Sequence, residues 1–348
     1  MLKIAKDRLN ELYAKIDESM GLFIPIKRAG EVNYAVWKDG KEVSLETLKT
    51  VKSPKNMFFP QSENLMKFKK DGNNLEVIDV REKLGEKIEE RPFVLFGVKA
   101  CDYKGIEVLD KVFLADPVDS YYQMRRESTT IVTLACSRPE ESCFCGAFGI
   151  DATAPMGDVT TWLDNEYLYW QANTEKGEKL TALVKDLFVD GGENEVAAQQ
   201  EKTKEIMAKL PYANLDLSRF KPENLNELFD AKEWEEMSEA CLGCGTCTFV
   251  CPTCQCFDIR DFKTNEGVIR FRCWDSCMYS DFTLMAHGNS RTTQMQRFRQ
   301  RFMHKLVYYP SQNDGLYSCV GCGRCVNKCP QKLNIVKVIK TLGGKDND

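Results

Sequence analysis

The sequence predicts a mixed α+β or α/β protein: an N-terminal α/β domain followed by a C-terminal, cysteine-rich helical module that carries an insertion. Three observations lead there. Phe93–Ala100 and Thr129–Ala135 are apolar, β-branched runs of strand length with a helical pattern between them. Cys241, Cys244, Cys247 and Cys251 spell Cys-x2-Cys-x2-Cys-x3-Cys-Pro, and Cys319, Cys322, Cys325 and Cys329 spell it again. Residues 252–318 separate the two halves, far more chain than such a pair needs, and so read as an insertion.

In chain order, the opening MLKIAKDRLNELYAKI is an amphipathic helical pattern through Leu2, Leu9, Leu12 and Ile16, with charges throughout. It has no apolar core of signal-peptide type, which points to a reduced, cytoplasmic protein. Between the two apolar runs, Ile106, Leu109, Val112 and Phe113 mark the buried face of a helix that starts after Asp102. Strand, helix, strand in succession implies parallel strands. Cys101 and Cys136 then sit at the carboxyl ends of neighbouring strands, where open α/β sheets place ligands. Trp162–Gln171 alternates as a further strand, Lys179–Phe188 looks helical, and Gly191–Glu195 is a polar break before a helix over Val196–Leu210. Pro222–Ala240 is an acidic, aromatic helix leading into Cys241, and the tail Gly343–Asp348 is expected to be loose. The division drawn is 1–210 for the N-terminal domain, 211–240 for a helical linker and 241–348 for the module, with the break itself somewhere in 190–235.

Composition excludes several classes. Apolar residues make up 43% and charged residues 29%, ordinary for a globular chain of 348 residues with a sizeable core. A net charge of −4 argues against general nucleic-acid affinity, and no stretch approaches a membrane span. The two histidines, His287 and His304, leave little room for histidine-based metal chemistry. Sixteen cysteines without a secretion signal instead suggest metal loading.

The repeated motif is the ligand pattern of a bacterial two-cluster ferredoxin, in which each fourth cysteine ligates the other half's cluster. One [4Fe-4S] cluster is expected on Cys241, Cys244, Cys247 and Cys329, the other on Cys319, Cys322, Cys325 and Cys251. Zinc sites pair two Cys-x2-Cys knuckles instead, and a disulfide framework needs an oxidising compartment. Gly243, Gly245, Gly321 and Gly323 suit backbone that curls tightly around a cluster.

Eight cysteines remain. Cys101, Cys136, Cys143 and Cys145 are the only ones before the module, and their clustering suggests a third iron–sulfur site, with zinc or buried thiols as rivals. Asp102 reads as the helix N-cap, with a role as an oxygen ligand the rival. Cys254, Cys256, Cys273 and Cys277 follow no derivable spacing: thiols packed beside the cluster loops are the first reading, and a fourth cluster or zinc the second. Arg291, Arg297, Arg299, Arg301 and Lys305 read as counter-charge for anionic clusters or a docking face, against a solvated helix face. Trp274 and Phe271 read as packing.

The stretches GVKACDYKGIEVLDKVF, CFCGAFG, CPTCQCFDI, WDSC and CVGCGRCVNKCP resemble one family, from about Ser53 to the C-terminus. It comprises the 4Fe-4S dicluster electron-transfer subunits represented in anaerobic sulfite reductase and by the sulfhydrogenase beta subunit. The resemblance implies an electron-conducting subunit between a flavin- and NAD(P)-binding reductase partner and a catalytic partner, a hydrogenase or a sulfite reductase. It aligns Cys101, Cys136, Cys143 and Cys145 with the family's N-terminal cysteines, and Cys254, Cys256 and Cys277 with those of its insertion; Cys273 departs from the pattern. No Gly-rich dinucleotide fingerprint is present, so flavin and nicotinamide are expected on a partner. Two rivals stand beside this reading: a redox enzyme whose N-terminal cluster has an open iron, and a binding module with structural metals only.

Overall fold

The computed structural model describes residues 1–343; residues 344–348, most of the expected loose tail, lie outside them. Its strands in chain order are β1 Leu2–Ala5, β2 Gly21–Arg28, β3 Glu31–Val36, β4 Ser62–Asp71, β5 Asn74–Asp79, β6 Phe93–Val98, β7 Thr129–Leu134, β8 Val159–Leu163, β9 Tyr167–Ala172, β10 Val189–Asp190, β11 Phe257–Thr264 and β12 Gly267–Trp274, followed by a two-residue pair, β13 Leu284–Met285 and β14 Gly288–Asn289. An eight-stranded sheet runs β10-β1-β9-β8-β7-β6-β2-β3. Its centre, β8-β7-β6-β2, is parallel, with Phe93 opposite Thr129 and Val132 opposite Val159; the flanking strands are antiparallel. Every residue of β6 and β7 is buried, as expected for parallel strands covered on both faces. One face packs on the helices Leu9–Ser19 and Glu175–Val184, through Leu12, Ile16, Phe96, Val132, Leu180 and Val184. The other packs on Ala100–Phe113, Phe58, Phe59 and Tyr122.

Several elements differ from the sequence reading. The opening helix begins only at Leu9, because Leu2–Ala5 pairs with Tyr167–Trp170 as β1. Trp162–Gln171 is not one strand but most of a hairpin: Asp164 accepts from the Glu166 and Tyr167 amides and turns the chain. Pro222–Ala240 breaks into turns at 222–224, 225–229 and 233–238. The helix after β6 starts at Ala100, two residues before Asp102. Its N-cap is Lys99, and Asp102 lies in the first turn, so Asp102 is not the cap.

A second, four-stranded sheet, β11-β12-β4-β5, is built from both halves of the chain. The insertion's hairpin lays β12 against the N-terminal β4, with Val268 opposite Phe68 and Cys273 opposite Ser62. Arg272 anchors this junction, buried between Glu63 and Asp119. Trp274 closes it: the indole N–H donates to the Phe59 carbonyl at 3.0 Å, and the ring joins the core under the large sheet. Helices Gln294–Met303, Arg324–Lys328 and Ile335–Leu342 gather around a third core of Trp234, Phe298, Phe302, Val307 and Ile339. This is the helical module expected from the repeated cysteine motif. Together with the α/β sheet domain it gives the mixed fold class.

Candidate metal centres

Two hollows open inside the helical module. The first is lined by Cys241, Cys244, Cys247 and Cys329, with Phe298, Arg301 and Phe302 as its inner wall. The second is lined by Cys251, Cys319, Cys322 and Cys325, with Phe144, Arg301, Lys305 and Ile335. Each hollow thus takes three cysteines from one half of the repeat and the fourth from the other. The short helices Thr246–Phe249 and Arg324–Lys328 both begin on left-handed glycines, Gly245 and Gly323. The turn before each carries the first two cysteines of its half, and the helix carries the third.

The second loop is shaped by more than its own hollow. Gly321 sits at φ +58°, and a Cβ there would fall 2.4 Å from the backbone of Phe144; at Gly323, φ +74°, it would fall 2.3 Å from the Ser142 carbonyl. The Phe144 amide donates to the Gly321 carbonyl at 2.9 Å. These glycines let the segment bearing Cys143 and Cys145 lie directly on the Cys319–Cys325 loop.

Cys101 and Cys136 leave the carboxyl ends of β6 and β7, neighbouring parallel strands. Cys101, Cys136 and Cys145 pack together with Ala152, Ile150, Leu48 and Met207, and Cys143 stands next to Cys136 and Cys145. Burial pushes the Cys145 thiol up to about 12, helped by Cys136 and Cys143. Burial raises Cys101 well above its usual range, with Asp102, Cys322 and Cys145 adding to the effect. Thiols in such surroundings stay protonated unless a cation or a metal group compensates the thiolates. Burial lowers the pKa of Lys99, beside Cys136 and Cys101, and thiolates at those two cysteines oppose that shift and favour its charged form. Lys49 lies against Cys143 and Cys322 and donates to Ser142 Oγ at 2.6 Å. The N-terminal set therefore borders the second hollow at Cys322.

Asp102 is fully engaged. Arg324 Nη1 and Nη2 donate to its two oxygens at 2.6 and 2.7 Å, and Arg324 Nε donates to the Thr50 carbonyl at 3.0 Å. This buried, bidentate pair ties the helix after β6 to the helix bearing Cys325. Sequence reasoning misses it, since nothing local links residues 102 and 324.

The insertion cysteines divide. Cys254 donates its S–H to Cys251, which lowers the Cys251 pKa, and Cys277 donates to Cys256, drawing it down to about 7. Cys273 stands apart on β12, among Arg260, Asp258 and Asp275. Lys55, fully buried, donates to the Cys254 carbonyl at 2.8 Å and lies 4.0 Å over the Trp274 ring. Among the described residues, no three His, Cys, Asp or Glu side chains converge tightly enough to hold a single metal ion. The basic run is not a solvated face either. Arg301 and Lys305 are buried toward the hollows, and Arg299 stacks on Phe229 at 3.5 Å.

A family model described as a 4Fe-4S dicluster domain matches residues 240–333. Over 340 residues the chain is 32% identical to sulfhydrogenase 2 subunit beta of Pyrococcus furiosus, with 97% of each chain covered. The chain belongs to the family of 4Fe-4S dicluster proteins that includes the sulfhydrogenase beta subunit. Members of this dicluster family are iron–sulfur electron-transfer subunits of oxidoreductases, and two [4Fe-4S] clusters follow for this one. No solved structure matches it. No helix among the described residues is long and apolar enough to cross a membrane.

Proposed function

We propose that this dicluster-family protein relays electrons between a flavin- and NAD(P)-binding reductase partner and a hydrogenase-type catalytic partner, through three clusters in a row. Cys241, Cys244, Cys247 and Cys329 would hold the first [4Fe-4S] cluster, Cys319, Cys322, Cys325 and Cys251 the second, and Cys101, Cys136, Cys143 and Cys145 a third. When bound, such clusters supply one-electron carriers whose potentials are tuned by hydrogen bonds, charge and exposure.

The observation that carries this reading is adjacency. Arg301 lines both hollows of the module, and Cys322 of the second hollow lies against Cys101 and Cys145 of the N-terminal set. At the other end the first hollow reaches the surface through exposed Cys244 and Leu242. That opening suits electron exchange with a partner docked at the first hollow. Under this proposal residues 1–210 carry the third cluster, 211–240 link and 241–348 carry the pair. The hydrogenase-type partner is favoured over a sulfite reductase by the sulfhydrogenase relative.

The chain's own residues have definite tasks here. Gly321 and Gly323 bring the N-terminal loop onto the second cluster's loop. Lys49, Lys99 and Lys305 place positive charge beside thiolates that burial alone would keep protonated. Asp102 holds Arg324 rather than offering a free oxygen, which supports four thiolates at the third site and weighs against an enzyme with an open iron. Cys254 pairs with the second cluster's Cys251 and Cys256 with Cys277, and with Cys273 apart the insertion's cysteines fit thiols packed beside the second cluster better than a four-cysteine site.

Anaerobic reconstitution of the full chain, followed by iron and sulfide analysis and EPR of the dithionite-reduced protein, tests the proposal. The expected result is three interacting cubane signals, with no turnover of any substrate by the isolated chain. No cubane signal would leave a binding module with structural metals, and turnover by the isolated chain would favour the enzyme reading.

A further inference from the structure

Arg301 holds a buried charge that no carboxylate among the described residues neutralises. It is 3% exposed, on the helix Gln294–Met303 just before that helix widens into a π-helical turn over His304–Tyr308. Such turns recur at functional positions because they redirect side chains that an α-helix would send elsewhere. Its Nη2 donates to the Cys247 carbonyl at 3.1 Å. Its Nε and Nη1, both buried, have no hydrogen-bond partner among the described residues, and the guanidinium lies 4.6 Å over the Phe302 ring.

The other deeply buried arginines differ. Arg324 has Asp102, and Arg272 has Glu63 and Asp119. Among the described residues no carboxylate pairs with Arg301. A guanidinium buried with orphan donors is strongly unfavourable unless an anion faces it. The side chain lines both hollows, and the ionisable groups around it are Cys247 from the first set, Cys325 and Cys251 from the second, the insertion's Cys254 and the buried cation Lys305. An anionic group in each hollow is what would satisfy it.

Resting on the cluster assignment proposed above, we propose that Arg301 is a shared potential-setting residue. Its guanidinium stands between the first and second clusters, donates Nε–H and Nη1–H to their sulfur atoms, and raises both reduction potentials together. Each cluster gains one electron from the reductant and no proton, so its net negative charge grows. A fixed neighbouring cation stabilises the more negative state. Arginine suits the position because it stays protonated at any working pH and offers donors in several directions. Raising both potentials in step makes both clusters easier to reduce while leaving the driving force between them unchanged.

The test uses the reconstituted full chain, with dithionite as reductant. The Arg301→Gln and Arg301→Lys variants are compared with Arg299→Gln, a control two residues away that stacks on Phe229. Iron and sulfide content is measured first, then an EPR-monitored potential titration resolves each cluster. In Arg301→Gln both midpoints should move negative. At a fixed solution potential the reduced-to-oxidised ratio of each cluster should fall tenfold or more, about 59 mV for a one-electron couple. Arg301→Lys keeps the charge but loses the fork of donors, so both midpoints should move the same way by less. Arg299→Gln should leave them unmoved. Unmoved midpoints in a cluster-loaded variant, or a shift in one cluster alone, would overturn the proposal. Loss of both clusters in both Arg301 variants would instead assign the residue to holding the Cys247 loop, and also overturns it. A wild-type chain that takes up no cubanes would sink the cluster assignment, a distinct result.

Discussion

Replacing Asp102 by asparagine isolates the contact that joins the α/β domain to the helical module. In the folded protein the Asp102–Arg324 pair is bidentate at 2.6 and 2.7 Å, with side chains only 2% and 3% exposed. Asparagine is nearly isosteric but leaves the Arg324 guanidinium without a counter-ion, and breaking a buried pair from one side costs about 3 to 5 kcal/mol. Removing both charges together, in Asp102→Leu with Arg324→Leu, leaves no uncompensated ion and should recover most of that loss. The assay is anaerobic urea unfolding of the cluster-loaded protein, followed by tryptophan fluorescence, together with iron content. The expected result is a large loss of stability in Asp102→Asn with iron retained, largely restored in the double variant. A cost below about 1 kcal/mol would refute the assignment of this pair as the junction. Loss of iron in Asp102→Asn but not in Arg324→Leu would show instead that Asp102 is a ligand.

Three further outcomes follow from the geometry. In Gly321→Ala, the left-handed backbone and the 2.4 Å approach to Phe144 should cost at least about 1 to 3 kcal/mol, measured by the same unfolding assay, and should disturb the N-terminal site before the first hollow. Cys329→Ser should perturb the cluster bound by Cys241, Cys244 and Cys247, and Cys251→Ser the one bound by Cys319, Cys322 and Cys325; EPR that assigned either effect to the cysteine's own half would contradict the crossed pairing. Burial holds the His304 imidazole down to about 4 from an unfolded value of 6.5. The unfolded chain therefore takes up its proton first, and this residue's share of stability falls as pH drops from about 6.5 to about 4, by at most about 3 kcal/mol. His304→Asn should flatten that part of the stability–pH curve relative to wild type, and an unchanged slope would contradict the assignment.

The parts of the fold legible in the sequence are those written in local patterns. Phe93–Val98 and Thr129–Leu134 are continuous apolar runs because both sheet faces are covered, and their cysteines fall at the strand ends where parallel topology puts them. The repeated cysteine spacing announces two loops of one kind. What stays hidden depends on distant partners. Ser62–Asp79 does carry a hairpin signal missing from the sequence reading, since Met66 and Phe68 alternate with lysines and Leu75 and Val77 flank Glu76, on either side of Gly72–Asn73; what stays hidden is its distant partner, residues 267–273. The sequence reading places Leu2 on a helical stripe with Leu9, Leu12 and Ile16, whereas Leu2 and Ile4, two residues apart, follow a strand's period, and the ladder to β9 makes them one. Gly321 and Gly323 read as cluster-loop glycines, whereas their tightest constraint is the approach of Phe144 and Ser142. Arg301 looks like its neighbours Arg297 and Arg299. The four-residue step from Arg301 to Lys305, which places two cations on one helical face, is the signal that could set it apart.

The central claim is that the N-terminal cysteines extend the two-cluster relay by a third cluster. Quantitative iron and sulfide analysis with EPR, on the anaerobically reconstituted chain and on Cys136→Ser, tests it most directly. The expected result is metal beyond two cubanes in the wild type, magnetic interaction between the additional cluster and the one on the Cys322 loop, and a fall to two intact clusters in Cys136→Ser. A wild-type protein holding only two cubanes, with spectra that Cys136→Ser leaves unchanged, would contradict it.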